Sequence, residues 1–267
     1  DKRALHHLVK ASAILEEVFL QQDSADNIPF REYLKEEVKK GNEDAKMAMK
    51  LFIAQKGVHA VDTEATKFSL MKGSEELPGK GFYPEDLSKK EFHQIIEKML
   101  EEGKTKEVAK ILNQRSMVVR DKKELKAYDF CEYFSKEFKQ AAKELDLAAE
   151  NSTNKDFSDY LYLQAAALRV ADPMADAIAD KKWATLQDTP LEFTITRECY
   201  HDEMTGSVIE NDELSAMLKE HDIVAYPKDY LGFRVGIVNK EGTKKLLEIK
   251  KYLPELAKEM PYNDKYE

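Results

Sequence analysis

From Leu5 onward the apolar residues recur at the three- and four-residue spacing of an α-helix, and this period constrains the fold more than any single motif. Leu5, Leu8, Val9, Ser12, Leu15 and Phe19 mark one face, widened by Ile14 and Val18, which predicts an amphipathic helix over residues 3 to 22. Gln21 to Pro29 interrupts it. Phe30, Tyr33, Leu34 and Val38 restart the pattern up to Gly41, and Ala45, Ala48, Met49 and Phe52 repeat it up to Gly57. Only 10 glycines and 8 prolines occur in 267 residues, whereas a chain of short strands and tight turns needs more of both. The fold class expected is α+β and mostly helical.

Residues 57 to 83 lack periodicity and scatter Gly57, Gly73, Pro78, Gly79 and Gly81, so they read as a long loop. Ser88 with Glu91 three residues later has the form of a capping box, followed by Phe92, Ile95, Ile96, Met99 and Leu100 on one face and Gly103 as the stop. Met117 to Val119, the polar run Arg120 to Glu124 and then Leu125 to Phe130 read as a small hairpin near 116–130. Helical spacing returns at Phe134, Phe138, Ala141 and Leu145, and at Phe157, Tyr160, Leu161, Gln164, Ala165 and Leu168. Asp172 before Pro173 suits an N-cap and first turn.

A β element is expected in the last third, about 190–240, from Leu191 to Thr196 and from Phe233 to Asn239, with a helix over Asp212 to His221 between them. Leu246, Leu247, Ile249, Leu253 and Leu256 close the chain as a helix that Pro254 kinks or restarts. The organisation is a helical region over 1–115, containing the loop 57–83, and a mixed region over 116–267, either separate or as one continuous domain.

Charge narrows the function. With 51 acidic and 42 basic residues the formal charge is -9, so the cationic excess on which nucleic-acid affinity draws is missing and no nucleic-acid partner is expected. Cys131 and Cys199 stand far apart without a CxxC pair, which points to neither a disulfide framework nor a cysteine zinc site. No apolar run approaches the roughly 20 residues of a membrane span, and no signal-peptide pattern opens the chain. Because the sequence begins at Asp1 without methionine, a removed targeting segment stays possible, and both cytoplasmic and exported locations stay open.

Familiar catalytic patterns are missing. His6, His7, His59, His93, His201 and His221 form no HExxH, and there is no glycine-rich phosphate loop, GxSxG elbow or calcium loop. One segment is dense in groups that ionise: Arg197-Glu198-Cys199-Tyr200-His201-Asp202-Glu203, directly after the expected strand. If that strand continues, Glu198, Tyr200 and Asp202 alternate onto one face and Cys199 and His201 onto the other. Two carboxylates and a phenol would then share a surface able to hold a peptide's ammonium end. A solvated strand end or turn accounts for the same composition. Cys199 and His201 lack a third group to orient them as a nucleophile pair.

The run Glu198-Cys199-Tyr200-His201-Asp202, with the later Gly232-Phe233-Arg234-Val235-Gly236-Ile237-Val238-Asn239-Lys240, resembles the Glu-x-Tyr-x-Asp segment and Gly-Phe-x-x-x-Val-Asn-Lys strand of dipeptidyl peptidase III. Further pieces resemble the bacterial branch in the same order: Gly81 to Leu87 with Glu91-Phe92, Ser116 to Arg120, Tyr160-Leu161 through Leu168, Trp183, and Pro190 to Glu192. The resemblance implies a zinc metallopeptidase that releases dipeptides from the amino end of short peptides, built as two lobes around a cleft. It implies that this chain is the substrate-lobe, non-metal portion, since the family's HExxGH helix and later glutamate helix have no match here. Glu198, Tyr200 and Asp202 are the positions onto which substrate-binding duties carry over. No catalytic residue, metal ligand or cofactor is expected in the chain, and zinc only with a catalytic half.

The departures also matter. Trp183-Ala184-Thr185-Leu186 lacks the acid of the family's Trp-Met-Asp-Leu, and Gly57 to Asp62 lacks the aromatic of Gly-Pro-Trp-Asp. Three readings follow: the peptide-binding lobe of such an enzyme, a stand-alone relative that binds peptides or a protein without catalysis, and a helical protein without a ligand. The partners implied are short peptides with a free amino terminus, and a catalytic half or protein partner.

Overall fold

The computed structural model describes residues 1–199 and 202–261. Helix accounts for 58% and strand for 14%, an α+β fold that is mostly helical. The helices are α1 (Lys2–Asp23), α2 (Asn27–Lys39), α3 (Glu43–Gln55), α4 (Lys89–Glu101), α5 (Thr105–Ile111), α6 (Phe130–Tyr133), α7 (Ser135–Glu150), α8 (Lys155–Leu168), α9 (Pro173–Trp183), α10 (Glu203–Ile209), α11 (Asp212–Glu220), α12 (Lys240–Lys250) and α13 (Leu253–Lys258). Three antiparallel two-stranded sheets join β1 (His59–Val61) to β2 (Lys67–Ser69), β3 (Ser116–Asp121) to β4 (Glu124–Asp129), and β5 (Leu191–Cys199) to β6 (Asp229–Ile237).

The main core forms where α1 packs on α7, α7 on α8, α8 on α9 and α1 on β6. The buried face of α1 is Ala4, Leu8, Ala11, Leu15 and Val18, rotated from the expected stripe so that Val9 is exposed and Leu5, Ser12 and Phe19 are only partly buried, and α7 buries Phe138, Ala141, Ala142, Leu145 and Ala149. A second apolar cluster joins Leu20, Phe30, Leu34, Ala45, Phe52 and Val58 between the end of α1, α2 and α3. Buried Asn27 ties it together, donating to the Leu20 carbonyl at 3.0 Å and accepting from the Val58 N–H at 2.8 Å.

Residues 57–83 differ from the expected loop, because β1 and β2 form a hairpin inside them with Ala60 opposite Phe68. Their return to the core requires Gly81: a Cβ there would lie 1.8 Å from the Gln21 carbonyl oxygen. The box at Ser88 forms only by half. Its hydroxyl accepts from the Glu91 N–H at 3.2 Å, whereas the Glu91 carboxylate is bound by both terminal nitrogens of Arg120 at 2.9 Å. A cation within reach outcompetes one exposed N–H for that carboxylate. Asp172 caps α9 as expected, accepting from the Met174 N–H at 2.9 Å with Pro173 in the first turn.

The β element of the last third is longer than the apolar runs that announced it. Leu191 pairs with Ile237 and Cys199 with Asp229, and α10 and α11 lie within the connection. Pro254 begins a new helix rather than kinking the preceding one. Neither α12 nor α13 buries a residue, and Leu246, Leu247, Ile249, Leu253 and Leu256 are exposed. No helix among the described residues is long and apolar enough to cross a membrane.

Candidate functional site

Strand parity builds the site. Leu191, Phe193 and Ile195 point into the core, and Glu192, Thr194, Thr196 and Glu198 take the opposite face. Arg197 has core parity, so the strand carries a guanidinium inward, with its side chain only 13% exposed. The Val238 N–H donates to the Pro190 carbonyl at 3.2 Å, so the even-numbered residues of β5 bond to β6 and the odd-numbered ones direct their backbone groups away from it. Two side chains cover parts of the sheet's edges. The Tyr160 hydroxyl donates to the Phe193 carbonyl at 2.8 Å, and fully buried Gln22 accepts from the Leu231 N–H of β6 at 2.9 Å. Among the described residues nothing bonds to the outward N–H and C=O groups of Ile195 and Arg197.

That open edge lies in a cleft with a cavity volume of about 530 Å³. Thr194 to Arg197 and Arg234 line one side, Asp176, Asp180 and Trp183 of α9 the other, with Tyr160 and Arg115 between. Arg115 is bound through Nη1 to Asp176 Oδ2, and its Nε is 3.6 Å from Asp229 Oδ2. Arg197 Nε lies 3.7 Å from that same Asp176 oxygen. Burial pushes the Arg197 guanidinium below its ordinary pKa, with Asp176 opposing the shift. Burial and then the Asp176 charge push the Asp180 carboxyl up, and burial also raises Asp229.

Glu198 sits on the polar face at the end of the cleft strand. Its Oε1 accepts from the Thr196 hydroxyl at 2.8 Å and is 3.7 Å from a terminal nitrogen of Arg234. Gly232, opposite Thr196, makes that arrangement possible, because a Cβ there would meet the Thr196 hydroxyl at 2.3 Å and Glu198 Oε1 at 3.1 Å.

Asp202 does not share this face. The strand ends at Cys199, and Asp202 is the buried N-cap of α10, accepting from the N–H groups of Met204 and Thr205 at 3.1 and 3.0 Å. It also accepts from the Lys228 N–H at 3.1 Å and the Tyr83 hydroxyl at 3.3 Å. Tyr200 and His201 lie outside the described residues. Sequence reasoning missed Arg197, Asp176, Asp180 and Lys228. For Arg197 a signal existed, since it continues the inward parity of Phe193 and Ile195.

The described histidines are dispersed: His7 bonds to Glu144 at 2.7 Å, His59 to Ser74 at 3.1 Å and His93 to Ser207 at 2.9 Å. Among the described residues no group of three or more His, Cys, Asp or Glu could hold a metal ion. The zinc that the resemblance implies finds no ligand set among them, and no chemical step is assigned to it.

An α+β scaffold with an open-edged strand along a charged cleft is therefore the class that fold and site define. The same fold occurs in dipeptidyl peptidase III. A solved structure from Caldithrix abyssi superposes with a TM-score of 0.73 at 22% identity, covering 97% of this chain and 44% of that one. A second, from Corallococcus sp. strain EGB, gives 0.68 at 22% identity, covering 96% and 42%. The chain thus spans less than half the length of the solved structures that it matches. No protein-family model and no curated protein sequence matches it.

Proposed function

We propose that this chain is the peptide-receiving part of a dipeptidyl peptidase III-like hydrolase, and that an extended peptide adds to the edge of β5 in the cleft against α9. The observation that carries this reading is the pair of unbonded outward backbone positions, Ile195 and Arg197, lying along a cavity of about 530 Å³. An exposed strand edge recognises a peptide through main-chain hydrogen bonds, and alternate side chains then fall into pockets on either side. The motif at Glu198 resembles that of dipeptidyl peptidase III, whose fold this chain shares, and that resemblance is the ground for the substrate class proposed: short peptides with a free amino terminus.

In this reading the Glu198 carboxylate receives the peptide's ammonium group by a charge-assisted hydrogen bond. The Thr196 hydroxyl fixes the carboxylate's direction. Tyr200 joins it by its place in the motif. Asp202 acts from beneath, joining the starts of α10 and β6 through its buried carboxylate. Hydrolysis belongs to a catalytic half. The alternative, a peptide-binding relative without catalysis, uses the same cleft, and an HExxGH in the gene decides between them.

Amide hydrogen exchange on the chain, with and without a short free-amine peptide at saturation, tests the reading. Protection at Ile195 and Arg197 is expected. Unchanged exchange at both, with peptide bound, would place the peptide elsewhere.

A further inference from the structure

The charged floor of the cleft is unbalanced in its hydrogen bonding. Asp176 Oδ2 is already held by Arg115 Nη1, so a single carboxylate oxygen faces two guanidiniums. Arg197 is left 3.7 Å from it, beyond hydrogen-bond reach. Its Nε and Nη1 are buried with no hydrogen-bond partner, as is the Nε of Arg115. Buried polar groups in native proteins are almost always paired, so an unpaired guanidinium beside a cavity calls for an acceptor within it, a water or a ligand group. Three arginines and two aspartates line the cleft, and Asp229 and Glu198 stand 3.6 and 3.7 Å from Arg115 and Arg234, respectively. The guanidinium fork suits a planar, two-oxygen acceptor better than a single carbonyl.

We propose that Arg197 forms a carboxylate-binding subsite at the floor of this cleft, selecting peptides that present a carboxylate there, from an acidic side chain or from a carboxyl terminus. Arg115, anchored by Asp176 and close to Asp229, keeps the neighbouring wall in place and leaves Arg197 as the group that answers the ligand. The proposal rests on the peptide-cleft reading only for the nature of the ligand; the subsite itself is a property of the two arginines.

Calorimetric titration of the 267-residue chain with four tetrapeptides tests it. All have a free amine, and they carry an acidic side chain, a free carboxyl terminus, both or neither. A hydrogen bond between charged groups is worth about 1.5–3 kcal/mol, so a peptide with the fitting carboxylate should bind roughly tenfold or more tighter than the one with neither. Arg197→Met should erase that preference, and the arm that loses its advantage identifies the carboxylate's source. Equal affinities in the parent chain, or a preference that survives Arg197→Met, would overturn the subsite while leaving the peptide cleft standing. A variant-free arm follows the Arg197 Nε–H resonance during titration with succinate. A saturable shift without binding of any peptide would uphold the subsite and sink the peptide reading. No shift and no peptide preference would sink the subsite.

Discussion

The backbone N–H of Lys228 donates to the Asp202 carboxylate at 3.1 Å, joining the start of β6 to the N-cap of α10. The same carboxylate receives the N–H groups of Met204 and Thr205 and the Tyr83 hydroxyl. A residue whose position in the motif suggested ligand binding is thus a buried crosspoint of three segments. Asp202→Ala should destabilise the chain by about 2–4 kcal/mol, through a lost cap and orphaned buried donors. Urea unfolding measures it. A loss below about 1 kcal/mol would mean that those donors find other partners.

The side chain of Lys228 gives a prediction with a sign. Its ammonium is fully buried, donating to the carbonyls of Ile111 and Asn113 at 2.6 and 2.8 Å and to the Ser116 hydroxyl at 2.8 Å. Burial lowers its pKa from 10.5 to about 7, with Asp202 and Asp229 pulling the other way. Between these values the unfolded chain binds more protons here than the folded one, so this group makes stability rise with pH across that window. Below about 7 its penalty is fully present. The slope approaches about 1.4 kcal/mol per pH unit at most. Unfolding free energies at pH 7.0 and about 9.5 should therefore rise more in the parent than in Lys228→Met. Parallel profiles would show that the ammonium stays protonated throughout.

Gly232 tests how tightly the polar face of the sheet is built. Gly232→Ala forces a Cβ into the Thr196 hydroxyl and against Glu198, a clash of about 1–3 kcal/mol. Adding Thr196→Ala should restore at least half of the lost stability, because it removes the nearest atom. Two costs that simply add in urea unfolding would mean that the strand shifts rather than the side chain.

Helices α4 and α8 were legible because each buries the stripe that its sequence announces, Phe92, Ile95, Ile96, Met99 and Leu100 in one and Phe157, Tyr160, Leu161, Gln164, Ala165 and Leu168 in the other, whereas α12 keeps its apolar period without burying a residue. The misses have one cause, which is too few buried positions to set a period. Strand β1 buries Ala60 alone, α5 buries Val108 and Ile111, and α10 spans only Glu203–Ile209. For the site, Glu198 was legible from its place at the end of a strand, and the alternation failed at Asp202 because the helix cap captured it first. The partners of buried charges lie far off in sequence: Arg115 meets Asp176, and Lys228 meets Ile111. No local pattern encodes such contacts.

The central claim is that this cleft receives the free amino end of a peptide at Glu198. Calorimetric comparison of one short peptide with its amino-acetylated form, on the parent chain and on Glu198→Gln, tests it most directly. The free-amine peptide should bind the parent roughly tenfold or more tighter than the acetylated one, and Glu198→Gln should bring the two together. Equal affinity of both peptides for the parent, or a preference unchanged in Glu198→Gln, would contradict it.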